Sequence, residues 1–139
     1  MHDETSKELR TTLTSAGKLE LSIVTVPMPE PREGEVLLKV EASPINPSDL
    51  GLLLGPADVS SLSITGSGDN TVASMDVPEA MMPAMQARLD AALPVGNEGA
   101  GVVIAAGAGA EHLVGQTIGV AGGAMYSQYR FVPAASCIV

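Results

Sequence analysis

The chain has 139 residues, enough for one domain with a core of its own, and its 45% hydrophobic content points to a folded chain rather than a disordered one. Sixteen acidic residues against seven basic ones give a net charge of −9, which argues against nucleic acid and anionic membrane surfaces as partners. Aromatic residues make up only 2%, so there is no stacking platform for bases, and the single Cys137 allows neither an internal disulfide nor a cysteine-built zinc cluster.

The opening stretch, Met1 to Ser6, is polar and acidic, with no basic segment leading into an apolar one. Residues 1–7 are expected to be a flexible terminus. Leu9, Thr11 and Leu13 alternate with polar partners, and Leu19, Leu21 and Ile23 do the same after the turn signal Ser15-Ala16-Gly17-Lys18, which predicts a β-hairpin. Pro27, Pro29 and Pro31 make a stiff connector. Glu35 to Ala42 reads as a strand with Val36, Leu38, Val40 and Ala42 on one face, and Leu37 as the one apolar residue on the other. The string Asn46-Pro47-Ser48-Asp49 ends that strand, and Ser48 or Asp49 is placed to cap a short helix reaching about Leu54.

Residues 56–77 show no readable period, and within them Gly66-Ser67-Gly68-Asp69-Asn70 is loop chemistry. A second short helix is expected to start at Pro83, with Met82, Met85, Leu89 and Ala92 as an apolar stripe for core or lid packing. Strands are expected again at Gly101–Ala106, Thr117–Ala121 and Tyr126–Val132, punctuated by glycines. Many short strands with glycine corners and two short helices suggest a mainly β, irregular barrel.

Gly99-Ala100-Gly101 and Gly107-Ala108-Gly109 invite a dinucleotide-binding reading. That fingerprint needs glycines between a strand and a long helix. Here the glycines begin a strand, and Gly115 interrupts any helix after Gly109, so they read as sites of close strand approach. The longest apolar run, Gly99 to Ala110, is too short and too rich in Gly and Ala to span a bilayer. A soluble cytoplasmic protein is the resulting expectation.

Four stretches in order resemble the GroES-like catalytic half of the medium-chain dehydrogenase/reductase superfamily. They are Gly34–Val40 with Ile45–Asp49, Pro94–Val103, Val114–Val120, and Tyr126–Pro133. The resemblance covers residues 8–138 apart from about 57–92, a segment that looks like an insertion able to form a lid. It implies a GroES-like β-barrel over residues 8–139 and a separate nucleotide-binding half that this chain lacks. Zinc-dependent members place a Cys where Asn46 stands and a His where Asn97 stands. An amide cannot replace a thiolate or imidazole on zinc, and neither His2 nor His112 has a partner at ligand spacing, so no metal site is expected.

The Asn-Pro-Ser-Asp string is similar to the zinc-free branch of quinone reductases and 2-enoyl thioester reductases. That branch implies NADPH, bound mainly by the missing half, and a small carbonyl or quinone substrate. The enoyl reductases carry a Tyr a few residues after the string; Leu52 to Ala57 holds none. By position in the family, Asn46, Ser48 and Tyr126 are the candidate catalytic residues, and Asp49, Asn97 and Glu98 the candidates for lining the cleft. Each also has a structural reading: turn formation for Asn46, capping for Ser48 and Asp49, barrel packing for Tyr126, hydrogen bonding for Asn97, and orientation of neighbouring backbone for Glu98. The resemblance implies a homodimer formed through the missing half. A non-enzymatic GroES-like interaction module and a zinc-dependent alcohol dehydrogenase are the alternatives.

Overall fold

The computed structural model describes residues 5–139. Its strands are β1 (Thr5–Leu13), β2 (Lys18–Pro27), β3 (Glu35–Ala42), β4 (Asp58–Thr65), β5 (Val72–Asp76), β6 (Leu93–Pro94), β7 (Glu98–Ala106), β8 (Thr117–Ala121) and β9 (Tyr129–Pro133). One four-residue α-helix, α1 (Leu50–Leu53), and short 3₁₀ segments join them. The strands form a five-stranded sheet in the order β4-β5-β2-β1-β6 and a four-stranded sheet in the order β8-β7-β3-β9. The mainly β, GroES-like class with short helices is what the sequence implied. Among the described residues no helix is long and apolar enough to cross a membrane, which does not bear on crossing by strands.

The chain divides into two compact units. One takes in the residues up to Glu8 together with Thr25–Ile45 and Gly96–Val139; the other comprises Leu9–Val24 and Asn46–Val95. The first is built on the four-stranded sheet. Val36 and Leu38 of β3, Val103 of β7, Ile118 and Val120 of β8 and Val132 of β9 point to one face, where they are buried with Met125 and Leu113. The two-residue period of the pleat places them there. Leu37, the apolar residue on the opposite face, is also fully buried. In register, Val40 pairs with Gly101 and Lys39 with Tyr129. A Cβ at Gly101 would collide with the carbonyl oxygen of Lys39, and one at Gly107 with that of Arg32. The glycines of the dinucleotide-like string are therefore points of strand contact, as expected, and only a three-residue 3₁₀ turn, Glu111–Leu113, follows Gly109.

The second unit packs Leu13, Leu19, Met75 and Val77 at its centre, with Met82, Met85 and Leu89 against them. The expected stripe is core packing, except that Ala92 is exposed. Its element is a 3₁₀ stretch, Glu79–Arg88, with Pro83 inside it rather than a helix that Pro83 begins. Three residues per turn put Met82, Met85 and Arg88 on one side, and all three are half-buried.

Three further expectations are corrected. The stretch without a readable period holds two strands: β4 and β5 form an antiparallel hairpin, with Thr65 opposite Val72, and the expected loop at Gly66–Asn70 is the connection between them. The last strand begins at Tyr129, not Tyr126; Ser127 makes only an isolated bridge to Glu8. Thr5 to Lys7 belong to β1, with Ser6 buried, rather than to a flexible terminus, while residues 1–4 lie outside the described residues. β4 is the terminal strand of its sheet, and Val59, Leu62 and Ile64 on it are 50–60% exposed.

Candidate functional site

Asn46, Ser48 and Asp49 share one turn in the second unit. Pro47 cannot donate a backbone hydrogen bond, so it suits the first position of the 3₁₀ turn Pro47–Asp49, with extended Asn46 ahead of it. The Asn46 backbone N–H donates to Asp49 Oδ2 at 2.7 Å, and the Asp49 N–H donates back to the Asn46 carbonyl at 2.9 Å. This reciprocal pair explains why Asp49 is buried despite its charge: a carboxylate taken out of water needs donors. Asp49 directly precedes α1, yet its carboxylate turns back to Asn46 and makes no cap on that helix. Asn46, not Ser48, begins the turn, and Ser48 is exposed.

Asn97, Glu98 and Tyr126 belong to the first unit. Gly96 has φ +101° and is buried, and a Cβ there would lie 2.6 Å from Tyr126 Cδ1. Only glycine both adopts that backbone and lets the phenol ring lie against it. The Tyr126 hydroxyl donates to the Pro44 carbonyl at 2.9 Å, tying the loop before β9 to the segment after β3. The Asn97 carbonyl accepts from the Gly122 N–H at 2.8 Å, and the Asn97 side chain is exposed. Glu98 opens β7, opposite Ala121 of β8.

Glu98 lines a cavity of about 420 Å³ with Ala42, Pro44, Gly99, Ala100 and Val120 among its walls. The wall is apolar and mostly of small side chains, with Ile138 the large one and Glu98 the carboxylate. Asn97 and Tyr126 stand in the same unit but are not among its lining residues. The missed contributors are Ala42 and Val120. Ala42 sat on the apolar face of a recognised strand, but nothing in the sequence said that this end of the face was exposed. Among the described residues, no group of three or more His, Cys, Asp or Glu side chains is placed to hold a metal ion, and His112 lies on the exposed 3₁₀ turn. His2 falls outside the described residues.

No family model matches the chain. A zinc-type alcohol dehydrogenase-like protein of Schizosaccharomyces pombe is 56% identical over 34 residues, which is 24% of this chain and 10% of that protein. Among solved structures, one assigned as an NADPH:quinone reductase of Mesorhizobium loti matches 99% of this chain and 37% of its own, with TM-score 0.57 and 22% identity. The JamJ enoyl reductase in its apo form matches 96% of this chain and 34% of its own, with TM-score 0.59 and 18% identity. The chain thus spans about a third of the length of these structures. The fold is one that quinone and enoyl reductases share, in agreement with the resemblance read from the sequence motifs.

Proposed function

We propose that this chain is the catalytic-domain portion of an NADPH-dependent, zinc-free oxidoreductase that reduces quinones or α,β-unsaturated carbonyl compounds. The observation that carries the reading is the apolar cavity beside the Glu98-Gly99-Ala100 segment, in a fold that quinone and enoyl reductases share. A small conjugated acceptor is flat and largely apolar, and a wall of Ala42, Pro44, Gly99, Ala100 and Val120 suits it. The cavity suits the acceptor better than a whole dinucleotide, because it offers no cluster of donors for a pyrophosphate. Holding the cofactor would fall mainly to another part of the protein.

When bound, the nicotinamide would supply a hydride, and the acceptor would gain that hydride, with its electron pair, and one proton. This chain's residues would position the acceptor, exclude water and steady the oxygen on which charge develops. In this reading Asn46 and Ser48 donate hydrogen bonds to acceptor or cofactor, and Asp49 holds their turn through the Asn46 N–H. Glu98 is the carboxylate on the cavity wall, able to accept a hydrogen bond from the acceptor or a water beside it. Tyr126 is a positioning residue, because its hydroxyl proton is engaged by the Pro44 carbonyl. The reading without zinc rests on the amides at 46 and 97.

The test is NADPH oxidation by the full-length protein and by this chain, over a panel of quinones and enones, with and without chelator. Chelator-insensitive turnover by the full-length protein, with metal analysis finding no zinc, is expected. Asn46→Ala in the full-length protein should lower kcat by about a hundredfold with KM little changed, the size of losing one preorganised donor. One tightly held zinc per chain and loss of turnover on chelation would replace this reading with the alcohol dehydrogenase one. Absence of both turnover and NADPH binding would leave a GroES-like interaction module.

A further inference from the structure

Arg88 ends the 3₁₀ stretch of the second unit. Its Nη2 donates to the Thr11 hydroxyl at 3.3 Å, and that fully buried hydroxyl donates in turn to the Leu52 carbonyl at 2.8 Å. Its Nε is buried and has no hydrogen-bond partner. A guanidinium has five N–H groups to satisfy, and this one makes a single long bond to a neutral hydroxyl. Burial also lowers its pKa, which is the mark of a cation losing water without gaining a counterion. The chain holds sixteen carboxylates and seven cations, yet among the described residues none of those carboxylates pairs with Arg88. On the Nη1 side stands exposed Gly55, where a Cβ would lie 3.6 Å away, so the outer end of the guanidinium is faced there by bare backbone.

We propose that Arg88 is an anion-recognition residue, whose outer Nη1 and Nη2 groups take the oxyanion of a small ligand, a carboxylate or a phosphate. Arginine matches both with its planar fork of donors, and partial desolvation strengthens the pairing. Thr11 fixes the fork: by spending its own proton on Leu52 it presents only a lone pair to Nη2. The inference goes beyond the reductase reading and does not depend on it.

The test is titration of the 139-residue chain with inorganic phosphate and, separately, with acetate, following the Arg88 Nε–Hε resonance by ¹⁵N NMR against sodium chloride at matched ionic strength. Arg10 is the internal control: its Nε is likewise buried and makes no hydrogen bond, but its Nη1 donates to the Ala92 carbonyl at 3.0 Å. A saturating shift at Arg88 but not at Arg10 is expected. Saturation by phosphate alone identifies a phosphate-bearing ligand, and saturation by acetate as well identifies a carboxylate. Arg88→Gln should weaken the saturable backbone-amide shifts by about tenfold or more, as loss of a charge-assisted pair requires. A response no larger than chloride's, equal shifts at both arginines, or amide shifts that persist in a folded Arg88→Gln would overturn the proposal. If that variant does not fold, the wild-type titration decides alone. No nicotinamide or acceptor is present, so failure here leaves the reductase reading untouched, and failure of turnover leaves this one untouched.

Discussion

Single residues show how polar groups are placed in a chain with few cations. Asp58 accepts from both the hydroxyl and the backbone N–H of Ser60, at 2.6 and 3.0 Å, and those two bonds hold its carboxyl below the usual range. A carboxyl lowered on folding contributes stability above its unfolded pKa, and that contribution is lost as pH falls through the lower folded value. Ser60→Ala should therefore raise the Asp58 pKa toward the ordinary aspartate value, and the side-chain carboxyl carbon followed by NMR through acid pH would show it. The Asn46–Asp49 turn was legible as a turn because Pro47 forbids other structures. Which residue caps which was not legible: Asn, Ser and Asp all accept hydrogen bonds, and only the fold decides which donor each meets. Arg88 gave no signal at all, since an arginine at the end of a Met-rich stretch reads as a solvated helix end.

At the level of elements, β3 and β8 were readable to the residue, and the reason is physical. Both turn alternate residues to one buried cluster, so burial imprints a two-residue period on the sequence, with Leu37 on the other face of β3 as the exception. β4 left no such imprint. Its residues are exposed on both faces apart from Ser61, and a serine-rich strand held by backbone pairing has no apolar face to display. β7 was read three residues short, because Glu98, Gly99 and Ala100 belong to the strand through their pairing with β8 and not through their side chains. Glycines on this sheet provide a direct comparison. Gly101→Ala should cost about 1–3 kcal/mol or more, because the new methyl meets the Lys39 carbonyl and backbone would have to move. Gly119→Ala, with nothing within 4 Å of the new Cβ, should stay within about 0.5 kcal/mol of the parent. Urea melts of the two variants test the pair.

Over the whole molecule, the hydrophobic stabilisation is divided between two clusters, one in each unit, built almost wholly from aliphatic and Met side chains. Leu38→Ala in one and Leu19→Ala in the other should each cost about 2–5 kcal/mol, the range for truncating a fully buried leucine. Two tyrosines and no tryptophan give a weak fluorescence signal, so circular dichroism is the probe to use for both. Fold class was legible at this scale because four motifs kept their order along the chain; the cavity was not, because its walls come from four separate stretches, most of them small residues. The exposed rim of β4 has a consequence for the protein in storage. Val59 to Thr65 is an uncharged seven-residue run without proline or glycine, and the edge strand that carries it leaves one row of backbone groups open. Such a segment is a template on which like strands stack, so concentrated solutions should lose protein to fibril growth from the native state before they lose it to heat. A single lysine, Leu62→Lys, would act as a gatekeeper, lengthening the lag before thioflavin T fluorescence rises while leaving the melting temperature where it was.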